Sequence, residues 1–200
     1  MLRIGITGGI GSGKTTVCRV WERLGAHVIY ADDLAKSLMV NDPELKQQLV
    51  EAFGEEVYLE DGSLDRHRLS VKAFGEGRVE ELNRLVHPVV CREIDRIEEE
   101  ARKEGTTIAV REAALLLDKG RPEVLDAVIL VTAPEEERIR RVSKRDQSDE
   151  KQVRERMQRQ KLESDMRPYA DLVIENNGSR ELLEEKADVI FRELEPLAGA

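Results

Sequence analysis

Residues 8–15 read Gly8-Gly9-Ile10-Gly11-Ser12-Gly13-Lys14-Thr15. This octapeptide satisfies G-x-x-x-x-G-K-[ST], the pattern of a loop that wraps its backbone around the phosphates of a nucleoside triphosphate. Its glycines admit conformations that turn several N–H groups inward, with no side chain between the backbone and a phosphate oxygen. Lys14 adds a positive charge for the β- and γ-phosphates, and the Thr15 hydroxyl is of the type that ligates Mg²⁺. We therefore predict a nucleotide site at this loop, towards which the following helix directs the positive end of its dipole.

The residues on either side of the loop support this prediction. Residues 2–7 are typical of a short β-strand, and residues 16–24 show the apolar spacing of an amphipathic helix. Strand, loop and helix come in the order that the motif requires, whereas a plain glycine-rich turn would need no such order. The dinucleotide fingerprint G-x-G-x-x-G is disfavoured, because Lys14 and Thr16 stand where its last glycine would fall.

Length and composition narrow the class of protein. The chain has 200 residues, of which 36% are charged and 4% aromatic, and this suits one helix-rich α/β domain with a helical insertion. No stretch approaches the roughly 20 apolar residues of a membrane-spanning helix, and the chain begins without a signal-peptide pattern. We expect a cytoplasmic protein with no membrane partner. Cys18 and Cys91 lack a metal-ligand spacing, and we expect two reduced thiols packed on apolar helix faces.

Charge is unevenly distributed along the chain. The formal net charge of −9 argues against a nucleic-acid partner, which would need clustered Lys and Arg. Residues 138–167 nevertheless contain eleven Lys or Arg against six Asp or Glu, an excess of five that falls to two if the segment starts at residue 135. Arg138, Arg141 and Arg145 would share one face of a helix. We predict that this segment is a lid that meets phosphate charge, the alternative being an exposed helix with paired charges.

Strand and helix patterns alternate along the chain. Apolar runs predict further strands near residues 26–30, 107–110, 127–131 and 171–175, with helices between them. The alternation predicts a three-layer α/β fold in which a mainly parallel sheet of about five strands lies between helices. In the helical pattern from residue 79 to residue 103, the pair His87-Pro88 must kink the helix or start a new one.

An acidic pair, Asp32-Asp33, follows the second predicted strand. Ligands bind at the carboxyl edge of open α/β sheets, so Asp32 is a candidate to accept the proton of a hydroxyl that receives a phosphoryl group. The alternative is that these carboxylates cap the next helix, which we favour for Asp33 only. No N-K-x-D tetrapeptide is present, which disfavours a regulatory GTPase and leaves a small kinase as the favoured class.

Several motifs resemble, in order, those of the dephospho-CoA kinases, a branch of the small P-loop kinases. They are Gly5 to Val17, Val28-Ile29-x-Ala31-Asp32, Leu64-Asp65-Arg66 with Leu69, His87-Pro88, Leu115-Leu116, Arg145-Asp146 and Ala170-Asp171-x-Val173-Ile174-x-Asn176-x-Gly178-Ser179. The resemblance implies ATP-dependent phosphorylation of the ribose 3′-hydroxyl of dephospho-CoA, the last step of coenzyme A biosynthesis, with Mg²⁺ present. It implies a P-loop NTPase-type fold in a single kinase domain over residues 1–200.

The resemblance also implies how the domain is divided and which residues act. The core would be residues 1–40, 106–135 and 170–200, the helical substrate insertion near residues 60–105 and the lid near residues 138–167. Lys14, Asp32 and Arg145 would be catalytic, and Thr15 would be the metal ligand. The implied ATP contacts are Gly9, Gly11, Ser12, Gly13, Lys14, Thr15, Thr16, Arg141, Asn176 and Gly178. The implied acceptor contacts are Asp32, Arg66 and His87, although spacing alone would make His87 a helix-packing residue.

The chain departs from the family pattern in two places. Tyr30 stands where the family usually has Asp, and residues 114–118 read Ala-Leu-Leu-Leu-Asp where Pro-Leu-Leu-Phe-Glu is usual. Glu112, at a strand end, would either organise Mg²⁺ through water or cap the next segment. The rival hypotheses are a kinase of the same build for another acceptor, such as a nucleoside monophosphate, and a nucleotide-binding switch protein. We expect a monomer or a weak homo-oligomer with small-molecule partners.

Overall fold

The computed structural model describes residues 1–118 and 120–198, so residues 119, 199 and 200 of the predicted domain lie outside the described residues. The strands are β1 (Leu2–Thr7), β2 (His27–Tyr30), β3 (Ile108–Glu112), β4 (Ala127–Thr132) and β5 (Leu172–Glu175). The α-helices are α1 (Lys14–Arg23), α2 (Ala31–Asn41), α3 (Pro43–Phe53), α4 (Arg66–Ser70), α5 (Val79–Lys103), α6 (Glu135–Asp146), α7 (Glu150–Gln158), α8 (Glu163–Met166) and α9 (Arg180–Ala198).

The strands form one parallel sheet in the order β2-β3-β1-β4-β5, which confirms the predicted α/β fold. After β1 the chain continues to β2, at one edge of the sheet, and after β4 it continues to β5, at the other edge. The connections that follow these two neighbouring strands therefore run in opposite directions across the sheet. Such a switch point is where open α/β sheets bind ligands. The glycine-rich loop lies there, between β1 and α1.

Both faces of the sheet are covered, as continuous apolar strands require. On one face Ile129 and Val131 cluster with buried side chains of α1 and α9, where Trp21 and Phe191 meet edge to face with ring centroids 5.5 Å apart. The alternate residues of β4 point to the other face and belong to a second apolar cluster. That cluster consists of Leu117, Leu125, Val128, Leu130 and Met166. The sheet and the helices on it therefore provide a rigid support for the loops at its carboxyl edge.

The chain divides into two compact units. The first contains residues 1–30 and 100–200 and carries the sheet, and the second contains residues 31–99 and is helical. In the second unit, aspartates cap the N-termini of α3 and α4. Asp42 accepts a hydrogen bond from the Leu45 N–H, and Asp65 accepts one from the Arg68 N–H. The second unit begins at residue 31, and the substrate insertion near residues 60–105 stays a prediction.

The structure bears on what the sequence predicted for Pro88 and for the two cysteines. α5 runs from Val79 to Lys103 with Pro88 inside it, so no new helix starts at that proline. Cys18 is buried, and burial raises the pKa of its thiol, with a further contribution from the Glu112 carboxylate. The prediction was wrong for Cys91, which is exposed, because the buried face of α5 passes through neighbouring residues such as Val90 and Ile94 instead.

In the described residues, no helix combines the length and apolarity that crossing a membrane demands.

Candidate active site

The glycine-rich loop has the backbone that phosphate binding requires. Gly11 and Gly13 have φ of 78° and 109°, in the left-handed region that favours glycine. The N–H groups of Gly11, Gly13 and Thr15 have no hydrogen-bond acceptor within residues 1–118 and 120–198. Donors of this kind at the start of a helix form a ready site for an anion. The loop therefore fits a polyphosphate.

Lys14 lies inside this loop and is almost fully buried. Its Nζ donates to the Gly8 carbonyl at 2.9 Å and lies 3.7 Å from Oε1 of Glu112. Both charged side chains are about 10% exposed. Because β3 pairs with β1 in parallel, the end of β3 brings Glu112 level with Ile6, just before the loop. The structure thus gives Glu112 an ion-pair partner that the sequence did not predict.

Asn176, directly after β5, supports the loop from the other side. Its Nδ2 donates to the Ser12 carbonyl at 2.8 Å, and the residue is 5% exposed. A Cβ atom at Gly13 would lie 2.6 Å from the same Nδ2, so the amide packs directly on the loop. The observed contact of Asn176 is with the loop, and its predicted contact with ATP stays a prediction. Gly178 is exposed two residues further on.

The N-terminal part of α6 also contacts the loop. Nε of Arg138 donates to the Ile10 carbonyl at 3.0 Å, and burial lowers the pKa of this guanidinium, partly offset by Glu135 and Glu163. The amide oxygen of Gln160, beyond α7, accepts from the Ile10 N–H at 2.7 Å. The sequence predicts Arg138 in the lid but no contact of Arg138 with the loop, and it gives no sign of Gln160, because a contact over 150 residues leaves no local pattern.

The other two arginines of the predicted lid face lie in different surroundings. Arg141 is partly buried, with Nε 3.8 Å from Glu137 and with a buried Nη1 that has no hydrogen-bond partner in the described part of the chain. Arg145 is exposed and pairs with Asp146 at 2.6 Å. Arg156 pairs with the same carboxylate, and the two guanidinium groups lower the pKa of Asp146 to about 2. The face therefore has a buried part near the loop and an exposed part in which charges pair with one another.

A cavity of about 400 Å³ opens beside the loop, at the carboxyl ends of β4 and β5. Pro134 and Arg138 line it on the α6 side, and Leu162 and Asn177 line it elsewhere. Its size lies within the range of small-molecule pockets, about 300–1,000 Å³. The first unit thus combines an anion site with an adjacent pocket that is partly apolar.

The predicted acceptor residues lie in the second unit and are exposed. Asp32 and Asp33 are in the first turn of α2, which begins at Ala31, so neither precedes the helix as a cap. Asp33 pairs with Lys36 at 2.6 Å. Arg66 is the first residue of α4, and His87 lies on the exposed side of α5. The exposure of His87 disfavours a helix-packing role, and the acceptor roles of Asp32, Arg66 and His87 stay predictions.

The residues near the loop fit Mg²⁺ of the kind that accompanies ATP. Thr15 is exposed in the first turn of α1. In the described ranges no group of three or more His, Cys, Asp or Glu side chains is arranged to hold a metal ion. Mg²⁺ at a nucleotide is usually held by one or two protein groups together with phosphates and waters, so one hydroxyl beside the phosphate loop suits it.

With this geometry, the chain compares closely with one family of kinases. A family model described as dephospho-CoA kinase matches residues 2–181. The chain belongs to the dephospho-CoA kinase family. Its relatives include the dephospho-CoA kinase of Salinibacter ruber, 45% identical over 192 residues that cover 96% of each chain. That of Corynebacterium diphtheriae is 40% identical over 190 residues, which cover 94% of this chain and 95% of the relative. The family assignment confirms the resemblance seen in the sequence.

Solved structures agree with the fold. The crystal structure of TT1252 from Thermus thermophilus has a TM-score of 0.78 at 37% identity and covers 96% of this chain and 97% of its own. A dephospho-CoA kinase from Campylobacter jejuni has a TM-score of 0.64 at 20% identity and covers 97% of each chain. At that identity the second likeness supports the fold alone. The fold of this family is a P-loop kinase fold, as predicted.

Proposed function

We propose that the chain transfers the γ-phosphoryl group of ATP to the ribose 3′-hydroxyl of dephospho-CoA. The observation that carries the proposal is a loop with buried Lys14 and with N–H groups that have no acceptor in the described residues, found in a chain of the dephospho-CoA kinase family. A phosphate loop alone would suit many nucleotide-binding proteins. The family match over residues 2–181 selects the acceptor.

The loop binds and orients the phosphates. The N–H groups of Gly11, Gly13 and Thr15 donate to phosphate oxygens, together with the dipole of α1. Lys14 balances the charge on the β- and γ-phosphates, and Glu112 and the Gly8 carbonyl hold its ammonium group ready. When bound through Thr15, Mg²⁺ supplies further neutralisation of the phosphate oxygens. Little of this arrangement has to form during the reaction, which is the condition for strong electrostatic stabilisation.

Asp32 is the proposed base. Its carboxylate takes the proton of the acceptor hydroxyl as that oxygen forms a bond to the γ-phosphorus, and the bond from phosphorus to the β,γ-bridging oxygen breaks to release ADP. Arg66 offers positive charge and hydrogen bonds to the acceptor, and His87 offers hydrogen bonds.

Arg141 and Arg145 are proposed to meet the charge on the transferred group. A buried guanidinium N–H without a partner costs free energy, so Nη1 of Arg141 supports an anion contact at that point. Arg145 would exchange Asp146 for phosphate, and its exposure keeps the cost of that exchange small. The cavity beside Arg138 and Asn177 is the proposed site of the adenine ring. Residues 138–167 keep the role of a lid in this proposal.

The proposed partners are small molecules. We propose that the protein itself is a monomer or a weak homo-oligomer in the cytoplasm.

An acceptor panel tests the reaction: Mg²⁺ and γ-labelled ATP are supplied with dephospho-CoA, with AMP or CMP, or with no acceptor. We expect rapid transfer to dephospho-CoA, with the label on its ribose 3′-oxygen. Faster transfer to a nucleoside monophosphate would contradict the acceptor assignment. Hydrolysis at the same rate with and without acceptor would favour a switch protein.

A further inference from the structure

Ile10 is held at three points, although it lies in the most glycine-rich part of the chain. Its N–H donates to Oε1 of Gln160 at 2.7 Å, and its carbonyl accepts from Nε of Arg138 at 3.0 Å. Its side chain packs against an apolar cluster of the lid. The cluster consists of Ile139, Val142 and Val153, with Met157 at its edge. One loop residue thus has both backbone polar groups and its side chain engaged by residues 138–160.

We propose that Gln160 and Arg138 are positioning residues, which keep the phosphate loop in its binding conformation by anchoring Ile10. The inference rests on the proposed function, because it assigns the two side chains to the same nucleotide site. Neither residue is required to touch the reacting atoms. They act through the backbone of Ile10, which lies between Gly9 and Gly11.

The physical need for an anchor follows from the glycines. A glycine loses more backbone freedom on ordering than any other residue, and each ordered residue costs about 1–2 kcal/mol of backbone entropy. A loop left to itself would spend part of the ATP binding free energy on becoming ordered. Fixing the peptide groups on both sides of Ile10 restricts Gly9 and Gly11 before the nucleotide arrives.

The packing of Arg138 adds a second requirement for these glycines. A Cβ atom at Gly9 would lie 2.6 Å from Cζ of Arg138, and one at Gly11 would lie 2.7 Å from the Arg138 carbonyl oxygen. Both distances are too short for real carbon contacts. The two glycines therefore admit α6 as well as phosphate, and Arg138 reaches Ile10 only because neither has a side chain.

A different role for Gln160 would be to occupy the Ile10 N–H until a phosphate displaces it. The other two contacts disfavour this role, because Arg138 and the apolar cluster hold the same residue from the same segment. The two roles predict opposite effects of removing Gln160 on ATP affinity, so one experiment separates them.

The test compares Gln160→Met with a matched control, Gln158→Met, two residues earlier at the exposed end of α7. Calorimetry measures the affinity for a non-hydrolysable ATP analogue with Mg²⁺, and NMR on ¹⁵N-isoleucine protein measures exchange of the Ile10 amide. For Gln160→Met we expect an affinity about 3- to 10-fold weaker, the worth of one hydrogen bond, and faster Ile10 exchange. The KM for dephospho-CoA should stay unchanged. The control should match wild type in every measurement.

Gln160→Glu provides the conservative rescue, because a carboxylate oxygen still accepts from the Ile10 N–H. Its Ile10 amide should stay protected. Unchanged analogue affinity and unchanged Ile10 exchange in Gln160→Met would overturn the proposal. Tighter analogue binding would also overturn it, because that result is expected if Gln160 only occupies the Ile10 N–H until a phosphate displaces it. If wild type itself bound no ATP analogue, the proposed function would fail, while the exchange of Ile10 would still decide whether the anchor exists.

Discussion

The phosphate loop and the outer part of the lid both present positive charge, but they are stabilised in opposite ways. Around the loop, Lys14 and Asn176 are buried and donate to loop carbonyls. In the lid, Arg145 and Arg156 are exposed and share one carboxylate, that of Asp146. Breaking a buried polar contact is costly, whereas an exposed ion pair contributes about 0–1 kcal/mol. The loop is therefore set before a nucleotide arrives, and the lid can exchange its partners.

The largest effect should come from the loop. Lys14→Ala removes the charge that meets the β- and γ-phosphates, and we expect kcat/KM to fall by about 10³-fold or more, as when a preorganised electrostatic group is lost. Steady-state kinetics on protein of wild-type circular dichroism would measure it. Lys151→Ala, in exposed α7, is the matched control and should retain activity. Normal turnover in folded Lys14→Ala protein would rule out its role.

Asp32→Asn should give the next largest effect. Loss of a general base lowers kcat by about 10²- to 10⁴-fold, and because Asp32 is assigned to the acceptor, the KM for ATP should hardly change. Asp33→Asn is the matched control, since Asp33 is exposed and paired with Lys36. An unchanged kcat in Asp32→Asn would leave Asp32 with no function beyond the charge of a first helical turn.

Asn176→Leu tests whether the loop depends on its buried supports. The substitution leaves the Ser12 carbonyl without its donor, so we expect about 1–3 kcal/mol lower free energy of unfolding and a higher KM for ATP. Urea denaturation and kinetics measure the two effects. Asn177→Leu, at the exposed neighbouring residue, should change stability little. Equal stability of Asn176→Leu and wild type would mean that the hydrogen bond to Ser12 does not hold the loop.

Arg145→Ala tests the exchangeable part of the lid. The variant loses only an exposed ion pair, so its free energy of unfolding should stay within about 0.5 kcal/mol of wild type, while kcat falls about 10-fold or more through the lost contact with the transferred group. Arg140→Ala, also exposed and paired with a carboxylate, should leave both quantities unchanged. A stability loss in Arg145→Ala without a change in kcat would place Arg145 among structural residues.

The smallest effect should be that of pH on the Asp146 cluster. The pKa of Asp146 is lowered to about 2 in the folded protein by Arg145 and Arg156, against about 3.9 in an unfolded chain. Its stabilising contribution is therefore fully present above the unfolded value and is lost as pH falls through the folded one. The difference in unfolding free energy between wild type and Asp146→Asn should stay constant from pH 5 to 8, at under about 1 kcal/mol. A difference in unfolding free energy that changed between pH 6 and 8 would contradict this prediction, because a group other than the Asp146 carboxylate would have to titrate there.

The features that could be predicted from the sequence are those that depend on residues close together in the chain. The strand, loop and α1 follow from a few consecutive residues, and the parallel sheet follows from apolar runs separated by helices. Helical spacing correctly put Arg138 and Arg141 near each other, yet it could not show that α6 reaches the loop at Arg138 and meets solvent at Arg145. Periodicity gives the face of a helix but not how far along that face a neighbour extends.

Partners distant in sequence were beyond prediction for a related reason. Glu112 meets Lys14 because β3 lies beside β1, and Gln160 meets Ile10 across 150 residues. Neither contact leaves a spacing in the sequence. Asn176 was expected near the nucleotide from family resemblance, and the structure adds a buried contact with the loop that the resemblance did not contain.

Backbone hydrogen exchange with and without a magnesium complex of a non-hydrolysable ATP analogue tests the contrast between loop and lid most directly. We predict that the amides of Ile10, Ser12 and Thr16, which are hydrogen-bonded within the chain, exchange slowly already without nucleotide. The amides of Gly11, Gly13 and Thr15 should gain protection only when phosphate binds them. A peptide spanning residues 144–160 should gain clear protection when the analogue binds. Free exchange of Ile10, Ser12 and Thr16 until nucleotide is added, beside a lid that does not respond, would contradict a preset loop and an adaptable lid.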